Sequence, residues 1–342
     1  MYSVLVVAPA WVGDGVMAQP LYRLLADRHA GLVLDVLAPV WTLPLLRRMP
    51  QVRHAIENPF AHGQLRLGER RALGVSLRAA RYDQAIVLPN SLKSALIPWF
   101  ANIPRRTGFV GEMRCGLLND SRRLDEAALP LMVERFAALA GDKGEPLARP
   151  LPEPRLQVSR DQANQVVQAL GLDLQRPAVA FCPGAEFGPA KRWPTSHFAA
   201  LARQLLTAGL QVWILGSGKD REIGDQIASL AGEAQVINLA GRTSLDQAVD
   251  LLALAAVVVT NDSGLMHVAA ALERPVVALF GSSSPGFTPP LSSQAEVLSL
   301  KLSCSPCFKR ECPLGTLACL EQLAPATVAG VVQRKLAGGG AI

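Results

Sequence analysis

Three charged side chains stand where apolar runs give way to glycine. Asp14 lies in Trp11-Val12-Gly13-Asp14-Gly15, Lys191 closes the turn-rich segment Pro183 to Pro194, and Asp262 lies in Thr260-Asn261-Asp262-Ser263-Gly264. A lone carboxylate among apolar neighbours has two roles open to it. It can cap the helix that follows, or it can act as a general base whose partial desolvation raises its proton affinity. A lysine beside backbone N–H groups at a helix start favours an anion such as a phosphate, with a solvated Lys191–Arg192 pair as the plainer alternative. Asp262 stands just ahead of Ser263, a natural N-cap, which leaves its carboxylate to receive hydroxyl groups of the kind a sugar presents. His267, one turn into that helix, reads first as a buried core histidine. Phe280-Gly281-Ser282-Ser283-Ser284 offers small donors suited to a diphosphate.

Stepping outward from these residues, apolar strand-like runs alternate with amphipathic helical patterns in each half of the chain. The first half places strands at 4–8, 33–37, 84–88 and 105–109, with a helix at 91–100. Pro20 falls inside an apolar helical pattern, so a helix kinks or begins there. The second half places strands at 178–182, 211–215, 236–239, 256–260 and 276–280. After the first of these, Phe198, Leu201, Ala202, Leu205 and Leu206 share one helix face. Alternation of this kind gives parallel sheets with right-handed crossovers, so the expected fold is α/β, two Rossmann-like doubly wound domains facing across a cleft. Residues 1–155 form one domain and 156–342 the other, with the last helix allowed to pack back on the first. The break falls in a linker stiffened by Pro146, Pro150, Pro152 and Pro154. Ligands in such folds bind outside the carboxyl ends of the strands, where the three charged residues lie.

Composition narrows the partners. At 342 residues the chain is long enough for two cores. The longest unbroken apolar run, Leu251 to Val259, cannot span a bilayer. The N-terminus enters a strand with no basic region or cleavage site, so a cytoplasmic location is expected. The net charge is +6, and the stretch from Arg66 to Arg114 alone holds nine basic residues against three acids. That local basic face suits a phosphorylated or carboxylated substrate, or an anionic membrane surface. Nucleic acid is not expected, since no binding motif accompanies the charge. Gly216-Ser217-Gly218 resembles half of a dinucleotide fingerprint. The acid expected about twenty residues on is missing from Val236-Ile237-Asn238-Leu239, which counts against a nicotinamide-dependent oxidoreductase. Cys304, Cys307, Cys312 and Cys319 follow C-x2-C-x4-C-x6-C spacing, open to a structural metal, an inducible disulfide or reduced thiols.

Together Trp11-Val12-Gly13-Asp14, Leu88-Pro89-Asn90-Ser91, Pro183 to Pro194 and Thr260 to Leu272 resemble the lipopolysaccharide heptosyltransferase family, in order, over about residues 1–335. The resemblance implies a GT-B glycosyltransferase with an N-terminal acceptor domain and a C-terminal nucleotide-sugar domain. It would be inverting, would need no metal or other cofactor, and would work on the inner face of the inner membrane. It implies transfer of L-glycero-D-manno-heptose from ADP-heptose to the lipopolysaccharide inner core. The long Pro183–Pro194 motif and Asn261–His267 resemble the member that adds to the first heptose more than the member that places it. Carried over, Asp14 is the base, Lys191 the diphosphate stabiliser and Asp262 the acid at the donor sugar. The expected donor set is Gly184, Lys191, Asn261, Asp262, Ser263, Gly264, His267, Gly281 and Ser282. The expected acceptor set is Gly13, Asn90, Ser91 and Lys93, joined by Arg66, Arg70 and Arg105 of the basic stretch.

Overall fold

The computed structural model describes residues 1–61 and 63–338, so 339–342 of the expected second domain lie outside the described residues. The chain divides into two compact units, the first ending at Pro154 and the second starting at Arg155, next to the last proline of the linker.

Each unit is built on one six-stranded, all-parallel sheet. In the first unit the strands are β1 (Ser3–Val7), β2 (Val33–Ala38), β3 (His54–Glu57), β4 (Gln84–Val87), β5 (Arg105–Phe109) and β6 (Asp120–Arg122), in the order β3-β2-β1-β4-β5-β6. In the second they are β7 (Ala178–Cys182), β8 (Gln211–Ile214), β9 (Val236–Asn238), β10 (Val257–Asn261), β11 (Val276–Leu279) and β12 (Ala295–Leu298), in the order β12-β11-β10-β7-β8-β9. Counted within its own unit, each sheet has the order 3-2-1-4-5-6 of a dinucleotide-binding fold, in which the chain reverses direction across the sheet between the two central strands. β1 and β4 flank that switch point in the first unit, β7 and β10 in the second.

Crossover helices cover both faces, so central strands are buried on both sides and are apolar almost throughout. β7, β10 and β11 are wholly buried. The helix Thr195–Thr207 lays Phe198, Leu201, Ala202 and Leu205 into the second core, against Val179, Phe181 and Val212. Trp193 joins the same core and meets Phe198 edge-on at 4.8 Å. The last described helix, Pro325–Gly338, packs on the helix Thr195–Thr207 and on β10 and β11 of its own unit. Pro20 sits at the second position of the helix Gln19–Arg28, where its missing N–H costs nothing, so a helix begins there rather than kinks.

Candidate functional site

In the first unit, the turn after β1 is short. The helix Val12–Met17 starts at once, with Trp11 before it and Asp14 in its first turn. Gly13 and Gly15 are therefore buried helical residues, and a methyl group at Gly15 would rest 3.6 Å from Leu45. The half-buried Asp14 side chain lines a cavity of about 540 Å³ at the carboxyl edge of the sheet. Trp11, Trp41, Phe60, Asn90, Ser91 and Lys93 line it too, as do Arg70, Glu112 and Arg135.

The loop after β4 supplies the opposite wall. Ser91 caps the helix Leu92–Phe100 by accepting from the Ser94 N–H at 3.3 Å, as an N-cap serine does. Asn90 accepts from Arg114 at 3.0 Å, and Arg114 also donates to the Pro89 carbonyl at 2.6 Å and to that of Phe109. That buried guanidinium clamps the β4 and β5 loops together, and burial holds its proton affinity below the usual arginine value.

The basic residues separate by position. Arg70 lies against the cavity but spends its donors on the carbonyls of Leu65 at 2.6 Å, Gln64 at 3.0 Å and Lys93 at 3.3 Å, while stacking 4.1 Å over Phe60. Its work is to hold the 64–65 loop in place. Arg66 pairs with Glu69 at the exposed start of the helix Leu67–Leu77. Arg105 does not join the cavity. It is the first residue of β5, level with Gln84 at the start of β4, and so lies on the amino edge of the sheet, tied to Asp120 and Asp142 at 3.1 Å each. The signal was present in the sequence: the first residue of a parallel strand faces the end of the sheet that ligands avoid.

In the second unit, β7 ends at Cys182 and the chain runs through Pro183 to a short 3-10 turn, Pro189–Lys191. Lys191 projects onto the β10 loop, with Nζ 2.5 Å from Asp262 Oδ2. Both side chains are largely buried, at 17% and 5% exposure, so their mutual attraction has to offset a substantial desolvation cost. The Phe187 ring is in cation–π reach of Lys191, at 5.0 Å, and of Arg310, at 5.6 Å from its centroid. Asn261 is fully buried and stitches the two loops. Its Nδ2 donates to the Pro183 carbonyl at 2.6 Å, and its Oδ1 accepts from the Trp193 N–H at 3.0 Å. Asn261 thus positions Lys191 rather than offering its own polar atoms.

Ser263 and Gly264 open the helix Gly264–Ala271, and His267 lies buried within it. Burial, with Lys191 adding to it and Asp262 opposing, lowers the His267 pKa to about 4, so the imidazole is neutral at neutral pH. Its Nδ1 has no hydrogen-bond partner among the described residues, nor do the buried hydroxyls of Ser282 and Ser283 after β11. Unpartnered buried polar atoms at one sheet edge are costly unless a ligand or water meets them. Gly281 is required by packing: a Cβ there would come within 2.6 Å of Leu320.

Two scaffolding features escaped the sequence reading. The cysteine-rich loop laces the site together: Arg310 O accepts from the Ala190 N–H at 3.0 Å, Phe308 N–H donates to Ser282 O at 2.7 Å, and the Ser305 hydroxyl donates to Gly281 O. Its four cysteines form no disulfide with one another in this structure, and among the described residues no group of three or more His, Cys, Asp or Glu is placed to hold a metal ion. The second feature is Asp220, whose carboxylate accepts from the Ser217 N–H at 2.9 Å and its hydroxyl at 2.8 Å, and packs against Gly184 and Gly216. The glycine turn after β8 is therefore filled by the protein's own carboxylate. A dinucleotide phosphate would be repelled there, and Asn238 at the end of β9 bonds Asp225 and the Arg221 carbonyl instead of a ribose.

Two doubly wound parallel sheets, each with its charged residues at the switch point, define an α/β enzyme of the GT-B glycosyltransferase class. Comparison with known proteins narrows this. The model of glycosyltransferase family 9 (heptosyltransferase) matches residues 70–318. The lipopolysaccharide heptosyltransferase 2 proteins of Salmonella typhimurium and of Escherichia coli K12 are each 58% identical over 306 residues, 87% of this chain and 88% of theirs. The solved structure of E. coli ADP-heptose lps heptosyltransferase II superposes with a TM-score of 0.91 at 50% identity, covering 100% of both chains. This chain belongs to glycosyltransferase family 9, the heptosyltransferases.

Proposed function

We propose that this protein transfers L-glycero-D-manno-heptose from ADP-heptose to the first heptose of the lipopolysaccharide inner core, with inversion at the anomeric carbon and without a metal ion. The observation that carries the reading is the buried Lys191–Asp262 pair at the switch point of the second sheet, 2.5 Å apart and within electrostatic reach of a neutral His267. An ammonium has three donors, and the contact with Asp262 uses one. The remaining two suit the diphosphate of ADP-heptose, whose negative charge grows as the bond to the sugar breaks. A preorganised cation in a largely buried site stabilises that charge in the role a metal plays elsewhere. The helix start at Ser263–Gly264 and the hydroxyls of Ser282 and Ser283 add partial positive charge and donors. Asp262 both orients Lys191 and accepts from a sugar hydroxyl.

In the first unit, Asp14 accepts the proton of the acceptor hydroxyl as that oxygen displaces ADP from the face opposite the leaving group. The cavity around it joins apolar walls, Trp11, Trp41 and Phe60, to polar groups at Asn90, Ser91 and Lys93, which suits a sugar carrying acidic substituents. The acceptor is borne by the inner leaflet, so the protein works as a peripheral partner of that surface. No helix among the described residues is long and apolar enough to cross a membrane.

The deciding experiment offers ADP-heptose with two truncated lipopolysaccharide acceptors, one ending just before and one just after the first heptose. Extension of the second alone is expected. Transfer to the first instead, or to neither, overturns the assignment.

A further inference from the structure

The Lys191–Asp262 pair is neutral in sum, whereas a diphosphate joining two sugars carries a negative charge on each phosphate. The room for that anion in the second unit is bounded on one side. After β8 the glycine turn is filled by the Asp220 carboxylate, which lies against Gly184 and Gly216 and keeps its charge while it accepts from Ser217. An anion is therefore better received on the β10 and β11 side, where the hydroxyls of Ser282 and Ser283 are buried with no hydrogen-bond partner among the described residues.

A further cation reaches that side from far along the chain. Residues 305–310 of the cysteine-rich loop run from the serine turn to the lysine turn. The Ser305 hydroxyl donates to Gly281 O, the Phe308 N–H donates to Ser282 O at 2.7 Å, and Arg310 O accepts from the Ala190 N–H at 3.0 Å. The last contact needs a glycine opposite it, since a Cβ at Gly188 would stand 2.5 Å from the Arg310 carbonyl oxygen. So anchored, the Arg310 guanidinium lies 5.6 Å from the centroid of the Phe187 ring, which Lys191 Nζ approaches to 5.0 Å. Two cations on one ring are close enough for a single diphosphate, with its hydrogen bonds, to reach both. Arg310 is also uncommitted. Among the described residues its side chain has no carboxylate within ion-pair distance and no hydrogen-bond acceptor, neighbouring Glu311 makes no ion pair, and Glu186, beside Phe187, pairs with Lys219. A ring against the guanidinium face uses none of its N–H groups, so the in-plane fork stays open to two phosphate oxygens.

We propose that Arg310 is a second cation of the donor site, its guanidinium taking oxygens of the ADP-heptose diphosphate beside Lys191. This rests on the reading of the second unit as the ADP-heptose site. The two cations divide the work. Lys191 is balanced by Asp262 and supplies aimed donors, whereas Arg310 supplies positive charge with no carboxylate against it, which draws the anion in and holds it as negative charge builds on the leaving group. Because the segment that carries Arg310 is tied to Gly281 and Ser282, its place relative to the serine hydroxyls is fixed.

Binding of ADP to the full chain by calorimetry, beside binding of adenosine by saturation-transfer NMR, tests the proposal, because adenosine presents the same base and ribose without phosphates. Arg310→Gln should weaken ADP binding ~10-fold or more, as loss of a charge-assisted pair does, and leave adenosine affinity and the thermal midpoint unchanged. With ADP-heptose as donor, the same variant should lower kcat/KM by at least that factor. Arg310→Lys keeps the charge without the fork and should recover part of the loss. Unchanged ADP affinity in Arg310→Gln overturns the proposal. An equal loss for ADP and adenosine overturns it too, making Arg310 a prop for the loop rather than a phosphate ligand. The donor reading fails in a different way. A wild type that binds no ADP, or binds it no less tightly after Lys191→Ala, rejects the donor site and this cation with it, whereas ADP binding that depends on Lys191 and not on Arg310 rejects the cation alone.

Discussion

Asp262 shows what a buried charge pair implies about the side chains that form it. An aspartate and a lysine that are both largely buried repay their desolvation only when geometry is tight, and removing one partner leaves the other charge stranded. Lys191→Ala should therefore do two things at once. Turnover should fall by ~10²-fold or more from the lost stabilisation of the leaving diphosphate, and folding stability should also fall, because Asp262 keeps its burial without its cation. Steady-state kinetics beside chemical denaturation separates the two, and a variant that loses stability but keeps its kcat would remove Lys191 from the transition state. Asp14→Asn should behave differently: it keeps size and helix position, so the fold and donor affinity should survive while transfer drops by ~10²- to 10⁴-fold. Retained transfer in that variant excludes Asp14 as the base. The placement of all three residues was legible because each follows a strongly apolar strand. Asn261 was visible too, but its work was not: whether an amide faces a ligand or two backbone groups depends on the neighbouring loop, and Pro183 and Trp193 are remote from it in sequence.

Among the elements, legibility followed burial. Central strands such as β1, β7 and β10 are covered on both faces and so read as near-continuous apolar runs. The strands that escaped are β3 (His54-Ala55-Ile56-Glu57), β6 (Asp120-Ser121-Arg122) and β12, all at sheet edges and half exposed, where no apolar pattern is demanded. β9 is an edge strand too, yet Val236 and Ile237 gave it away. The same logic locates a cost in the loops. Gly184, two residues beyond the end of β7, lies against the Asp220 carboxylate, and an added Cβ would stand 2.4 Å from that group. Gly184→Ala should cost ~1–3 kcal/mol, as overpacking does. Asp220→Ala in the same chain should recover part of that loss, giving a coupling measurable by a double-mutant denaturation cycle. Strictly additive losses would show that the glycine answers to something other than Asp220. Because this contact positions the start of the Lys191 segment, the single variant should also raise KM for the donor.

At the scale of the whole molecule, the two units carry different acid switches. In the second, His267 is held well below its ordinary pKa, at about 4, chiefly by burial. An unfolded histidine titrates near ~6.5, so between about pH 6.5 and 4 the unfolded state binds a proton that the folded state refuses. Stability of this unit should thus decline as pH falls through that window and level off below it. In the first unit, burial pushes Asp35 up, but hydrogen bonds from Arg53 and Tyr82 outweigh it, and the carboxylate ends below its ordinary value. Asp120 ends low for the same reason, with Arg122 and Thr107 as its main partners. A depressed carboxylate stabilises above its unfolded pKa, roughly 4, and that contribution disappears as pH falls through the folded value. The chain should therefore respond to acid in two stages, an upper one carried by buried His267 in the second unit with a smaller share from His29 of the first, whose pKa burial also lowers, and a lower one below about pH 4 carried by the paired carboxylates of the first unit. Denaturation followed by tryptophan fluorescence across pH 3 to 7 resolves the stages, since buried Trp193 and Trp213 report on the second unit. His267→Gln removes the titrating group and should flatten the upper stage alone, while Asp35→Asn should reduce the lower one. If the upper stage persists unchanged in the glutamine variant, proton uptake by His267 is not its cause.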